Sequence, residues 1–296
     1  MKFEDVETAR KAYYKKLKEN FLICIILIIL ALLLTFAIGP IFAASFAFFG
    51  IAIAAIIAIF AIRKPRAAYH KAYKAYFVEQ ILRKTFTDLT YDHQKGLDPS
   101  LLRTAGMINT GDKYSSNDLT IARYKNTGFI QADVHIQVEH TDTDGNTDYI
   151  TIFKGRVMIF EFPKKFDFKL ELVGRKFHAY RVPGKDQNTG REMTKIETES
   201  TEFNQTFKIF GQDGFETFYI LDPALMVKIQ AISEKYKNKV LLGFYENKML
   251  VALNDGKDSF EPPKASKPIN ETEEIKKVTS SIKVITDFVD IISAHC

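Results

Sequence analysis

The run His140-Thr-Asp142-Thr-Asp144-Gly145-Asn-Thr-Asp148 is the stretch of this chain that most resembles a site. A calcium loop of the EF-hand type spaces oxygen ligands around a glycine at its sixth position and closes on a bidentate Glu at its twelfth. Asp142, Asp144, Gly145 and Asp148 fit that spacing. His140 stands where the first Asp is needed, Thr151 where the Glu is needed, and the flanks alternate as strands do. The run therefore reads as a hairpin turn. His135 and His140 are five residues apart, on opposite faces of one extended strand, so they do not share a metal. Glu197, Glu199 and Glu202 supply carboxylates for a cation but read as solvated strand positions. The chain carries no glycine-rich phosphate loop, no G-x-S-x-G elbow and no catalytic cysteine setting. No catalytic, cofactor-binding or metal residue and no cofactor is assigned, and the reading leans away from an enzyme.

The elements that would position any chemistry divide sharply. Phe21 to Ile62 contains no Asp, Glu, Lys, Arg or His. A bilayer core takes about 20 helical residues, and Gly39-Pro40 interrupts the run near its middle. This predicts a transmembrane hairpin of helices 21–38 and 41–62, after an N-terminal helix over 1–20. Both flanks are basic, and the positive-inside rule then puts both termini in the cytoplasm. Arg63, Lys64, Arg66, Lys71 and Lys74 are the expected contacts to anionic lipid headgroups, on a juxtamembrane helix over 63–84. Tyr69, Tyr73, Tyr76, Phe77 and Ile81 form a stripe on it, suited equally to a membrane interface and to packing on protein. The net charge of +5 lies in these flanks, and residues 77–296 sum to −2. A nucleic-acid partner, which needs a basic stripe, is thereby excluded. Cys24 and Cys296 are the only cysteines, so the rest of the chain has no disulfide framework.

Residues 85–262 are expected to form an α+β domain. Asp88 to Ser116 reads as loop-rich. Ile130, Ala132, Val134, Ile136 and Val138 alternate with Gln131, Asp133, His135, Gln137 and Glu139, the pattern of a half-buried strand. Strands over Tyr149–Phe162 and Phe166–Leu172 follow as an antiparallel meander. Lys195 to Phe210 reads as extended, and Asp222-Pro223 opens a helix. Val240–Tyr245 and Lys248–Leu253 make a hairpin around Glu246-Asn247. In 263–296, a linker precedes a helix capped by Asn270 and Glu273, whose stripe from Ile275 to Ile292 fits a sheet better than a coiled coil.

Several blocks resemble a known family: Leu89-Thr-Tyr-Asp, Tyr114-Ser-Ser-Asn-Asp118-Leu, Ile152-Phe-Lys-Gly155-Arg-Val-Met-Ile-Phe-Glu-Phe, Glu197-Thr-Glu-Ser200-Thr-Glu-Phe203-Asn204-Gln-Thr-Phe207, Ile220-Leu-Asp-Pro223-Ala-Leu-Met226 and Phe260-Glu-Pro262. In that order they are similar to the bacterial membrane-protein family known as domain of unknown function 3137. The resemblance implies two membrane helices with a soluble α+β domain, at the inner membrane of a bacterial cell, and no established activity. The fold class expected is thus α+β, a two-helix transmembrane hairpin followed by a soluble domain with a mainly antiparallel sheet and packed helices. The expected function is a membrane-anchored binding or scaffolding module, with a membrane-face enzyme as the alternative. Its expected partners are the lipid bilayer and an unidentified protein, with oligomerisation open.

Overall fold

A computed structural model describes the chain apart from residues 39, 163–164, 166–167, 185–189, 213–216, 219 and 294–296, and apart from the side chains of 32, 34–49, 51 and 292. The chain divides into two units, Met1–Gln80 with Glu261–Lys277, and Ile81–Phe260 with Val278–Cys296.

The first unit is helical. Helices α1 (Phe3–Ile38) and α2 (Pro40–Tyr73) run antiparallel, and a π-helical turn, Lys74–Glu79, follows. Asn20 Nδ2 donates to the Ala58 carbonyl at 3.0 Å and the Tyr13 and Tyr69 rings stack at 6.2 Å, which fixes the pairing. Among the described residues no helix is long and apolar enough to cross a membrane. This overturns the expected transmembrane hairpin, and with it the multi-pass inner-membrane location. Among the described side chains of α1 and α2 are the apolar stretches Phe21–Ala31 and Ala52–Ile62. Both stretches are largely exposed, with Phe21 at 69 % and Ile57 at 62 %.

The aromatic stripe packs on protein. Tyr69, Tyr73 and Phe77 are buried, and the tyrosine tips find acceptors in 261–277. Tyr69 donates to the Pro263 carbonyl at 2.9 Å, Tyr73 to Glu274 at 2.5 Å and Tyr76 to Glu271. Arg10 forks onto Glu7 at 2.8 Å and donates to the Ala265 carbonyl, while Glu7 accepts the Ile269 N–H at 3.0 Å. Burial without these partners would leave each polar group paying its full desolvation cost.

The second unit is built on one antiparallel sheet. Short helix α3 (Gln80–Thr85) leads to β1 (Thr87–Asp92), α4 (Pro99–Ala105), β2 (Lys113–Tyr124), β3 (Thr127–Thr141) and β4 (Thr147–Glu161). Then come β5 (Leu170–Gly174), β6 (Thr194–Ile196), α5 (Thr201–Thr206), β7 (Phe207–Gly211), α6 (Pro223–Lys235), β8 (Val240–Tyr245), β9 (Lys248–Leu253) and α7 (Glu271–Ser293). The nine described strands take the order β1-β2-β3-β4-β9-β8-β5-β7-β6.

The α+β class with a mainly antiparallel sheet agrees with the sequence pattern, and several local expectations do not. Asp88 to Ser116 holds β1 and the start of β2, whose alternation is interrupted by a bulge between Asn117 and Thr120. Phe166 and Asp167 lie outside the described residues, and β5 pairs with β7 and β8 rather than with β4. Within Lys195–Phe210, Thr201–Thr206 is a helix because Ser200 Oγ accepts the Phe203 N–H at 3.2 Å.

Both faces of the sheet are covered, which the half-buried pattern did not anticipate. One face carries Val134, Ile136, Val157, Leu241 and Leu250 against Leu102, Met107 and Phe177. The other carries Phe129 and Phe160, with Phe288 of α7 at 6.3 Å from Phe160 and the buried Val278, Ile282, Ile285 and Val289 beside it. The last helix therefore lies on the sheet. Each such side chain contributes about 1.5–3 kcal/mol by leaving water.

Candidate functional site

The sheet register builds a cavity. Ile121, Ile130, Ile159 and Leu250 are successive partners across β2, β3, β4 and β9. Two residues along each strand, Arg123, Gly128, Glu161 and Lys248 are successive partners too. Side chains two apart share a face, so an aliphatic row and a charged row run side by side. Burial falls outward along the first, from Leu250 at 0 % through Ile159 at 5 % to Ile121 at 43 %. In the second row Gly128 leaves a gap, because a Cβ built there would meet nothing within 4 Å. Its backbone is ordinary extended strand, with no geometry that demands glycine.

Helix α4 supplies a wall. Asp98 caps it by accepting the Ser100 N–H at 2.7 Å, Pro99 starts it, and Gly106 ends it at φ 69°. The result is a cavity of about 390 Å³ with Leu101, Ile121, Ile130, Ile159 and Tyr245 among its lining and Arg123, Glu161 and Lys248 at its edge. That volume lies in the roughly 300–1,000 Å³ range of small-molecule sites. Burial raises the Tyr245 pKa. The hydroxyl thus stays a neutral donor.

A second cluster joins Asp118, Asp133 and Asp258, whose carboxylate oxygens lie within 4.8 Å of one another. Asp118 sits in the β2 bulge at φ 59° and accepts from Tyr91 at 2.6 Å and Asn117 at 2.7 Å. Asp133 accepts the Ser259 N–H at 2.8 Å and its hydroxyl at 2.9 Å, and Asp258 accepts from Asn117 at 3.2 Å and the Phe260 N–H at 3.3 Å. All six oxygens are thus engaged by protein donors. Carboxylates are the donors a hard divalent cation takes, but here one would compete with each of these bonds. Arg156, buried at 4 %, is the register partner of Asp133 and donates to Ser259 at 3.0 Å and to Ser281 at 2.6 Å. Burial pushes the Asp133 pKa up to about 8, Arg156 opposes this, and Asp258 and Asp118 add to it. The bonds of Asp133 and Arg156 to Ser259 and Ser281 tie residues 258–260 and α7 to β3 and β4.

The residues singled out in the sequence do not converge. Asp142 accepts the Asp144 and Asn146 N–H groups at 2.9 and 2.8 Å, with Gly145 at φ 81°, so the calcium-like run is a turn. His135 is 2.9 Å from Thr151 Oγ1, and burial and Lys154 lower its pKa. His140 is exposed. Glu197 pairs with Lys195 at 2.8 Å and Glu202 accepts from Gln230. Arg63, Lys64, Arg66 and Lys71 are exposed along α2, with Arg63 stacked on Phe60 at 4.4 Å, whereas Lys74 is only 4 % exposed. The signal missed was Asp133, flanked by Ala132 and Val134, a charge expected to face water.

No curated protein matches the sequence. Among solved structures, that of the mycobacterial trehalose monomycolate transport factor A, TtfA, aligns with 75 % of this chain and 95 % of its own at 7 % identity and a TM-score of 0.40. A likeness at that level carries no argument. The blocks from Ile152 onward have a firmer counterpart: residues 151–293 match the family described as "Protein of unknown function (DUF3137)".

Proposed function

We propose that the second unit is a binding module that takes a small, largely apolar molecule in the cavity above Ile121, Ile130 and Ile159. The observation that carries this reading is Gly128. A glycine inside a strand costs about 0.5–1 kcal/mol relative to alanine, and here neither φ nor a close backbone approach calls for one. What its missing side chain provides is space, at the point where the aliphatic row is half uncovered. An apolar molecule filling that space gains roughly 0.8 kcal/mol for each CH₂ removed from water.

Binding fits better than catalysis. The shifted carboxyl, Asp133, is 5 % exposed and lies on the opposite sheet face from Ile130, so no substrate in the cavity reaches it. Fluorescence titration of 1-aminoanthracene into the full chain and into Gly128→Leu tests the reading. The expected result is one saturable site in the wild type that the variant lacks, with the variant's thermal stability equal or higher. Identical titration curves for two folded proteins would remove the proposal.

A further inference from the structure

The cavity edge carries both signs of charge in a fixed order. Reading along the register, Arg123, the gap at Gly128, Glu161 and Lys248 alternate as cation, space, anion and cation. Each charge is held by a neighbour on its own side of the gap. Asp88 of β1 lies 3.7 Å from Arg123 Nε, Asn247 Nδ2 donates to Glu161 Oε1 at 3.0 Å, and Glu246 lies 3.2 Å from Lys248. Adjacent antiparallel partners are about 4.5–5.5 Å apart at Cα, so Arg123 and Glu161 flank the gap one strand away on either side. The polar part of any ligand seated through the gap therefore meets a positive wall on β2 and a negative wall on β4.

Resting on the binding reading above, we infer that the ligand is a single-chain amphiphile with a zwitterionic head: its aliphatic tail lies on the isoleucine row and its two opposite charges face Arg123 and Glu161. A head with only a negative charge meets Glu161 beside the gap, within an edge whose three carboxylates outnumber its two cations. A head with only a positive charge meets Arg123. An internally neutral head of both signs is attracted on both sides and repelled on neither, and complementarity of this kind sets specificity more than affinity.

The test compares four probes with the same decyl chain, all below their micelle concentrations: decylphosphocholine, decanoate, decyltrimethylammonium and decan-1-ol. Calorimetric titrations use the full chain, with the Gly128→Leu titration subtracted so that uptake elsewhere on the protein cancels. Ile121→Ser, at a position 43 % exposed, serves as a second cavity variant should Gly128→Leu fail to fold. Decylphosphocholine should bind at least tenfold tighter than each of the others. Arg123→Gln should shrink its lead over the cationic probe at least threefold, and Glu161→Gln its lead over decanoate. A singly charged or uncharged probe that binds as tightly, or leads that both variants leave unchanged, would overturn the zwitterion assignment while the cavity reading stands. No difference between wild type and cavity variants for any probe would instead remove the cavity reading itself.

Discussion

Asp133 makes the stability of the second unit depend on pH, with a sign opposite to that of an ordinary paired carboxylate. In the unfolded chain its carboxyl titrates near 3.8, and in the native protein burial holds the proton up to about 8. Between those values the native state binds one more proton than the unfolded state. The free energy of unfolding therefore falls as pH rises, by about 1.4 kcal/mol per pH unit. The contribution is fully present below pH 3.8 and is lost by the time pH passes 8. From pH 5.5 to 7.5 it amounts to about 3 kcal/mol. Asp133→Asn removes the titration and keeps one oxygen for Ser259, while its amide can donate toward Asp258. Urea unfolding of both proteins by circular dichroism at pH 5.5, 6.5 and 7.5 measures the effect. The wild type should lose stability across this range and the variant should lose about 3 kcal/mol less. Parallel pH profiles, or a wild type that gains stability as pH rises, would refute the argument.

Arg156→Met takes a buried cation from beside Asp133 and breaks the bonds to Ser259 and Ser281. The same urea assay should show a loss of about 3–5 kcal/mol, and a loss under 1 kcal/mol would contradict the role given to the guanidinium. Gly155→Ala would set a Cβ 2.0 Å from the Leu253 carbonyl oxygen, backbone that cannot step aside. It should cost more than about 2 kcal/mol or prevent folding, which soluble yield and the thermal midpoint report. Tyr69→Phe in the first unit strands the Pro263 carbonyl, should cost about 1 kcal/mol and should speed proteolysis within 261–277.

Local signals in this sequence were legible where one element decides its own geometry. Asp222 caps α6 by accepting the Leu225 N–H at 2.8 Å, Asn270 caps α7, and Glu246 turns the β8–β9 hairpin at φ 51°. Each of these is a contact within about five residues. Strand β2 was not legible, because the bulge at Asn117–Thr120 shifts its alternation and seats a charge, Asp118, at 1 % exposure. The burial of Asp133 was not legible either. Alternation reports which residues share a face, and only α7 and residues 258–260, more than a hundred positions away, decide that this face is covered.

The cavity illustrates the same limit more sharply. Its two rows take residues from four strands, and the pairing of β4 with β9 joins Ile159 to Leu250 and Glu161 to Lys248 across some ninety residues of chain. No window of sequence contains either row. One residue, however, carried a local trace of it. Gly128 stands at the start of a strand of β-favouring residues, where a side chain would be accommodated without strain and would add stability. A glycine that no turn, φ value or backbone contact requires marks a place where the fold leaves room. In a sheet covered on both faces, room of about 390 Å³ beside the half-exposed Ile121 is a stability cost that a bound molecule would offset. On that reasoning Gly128→Leu should separate the two properties, raising the thermal midpoint of the empty protein and abolishing the further rise that a cavity ligand produces in the wild type. A variant that is destabilised would show that the gap is no stability cost, and one that is still stabilised by ligand as the wild type is would show that the gap is not the binding site.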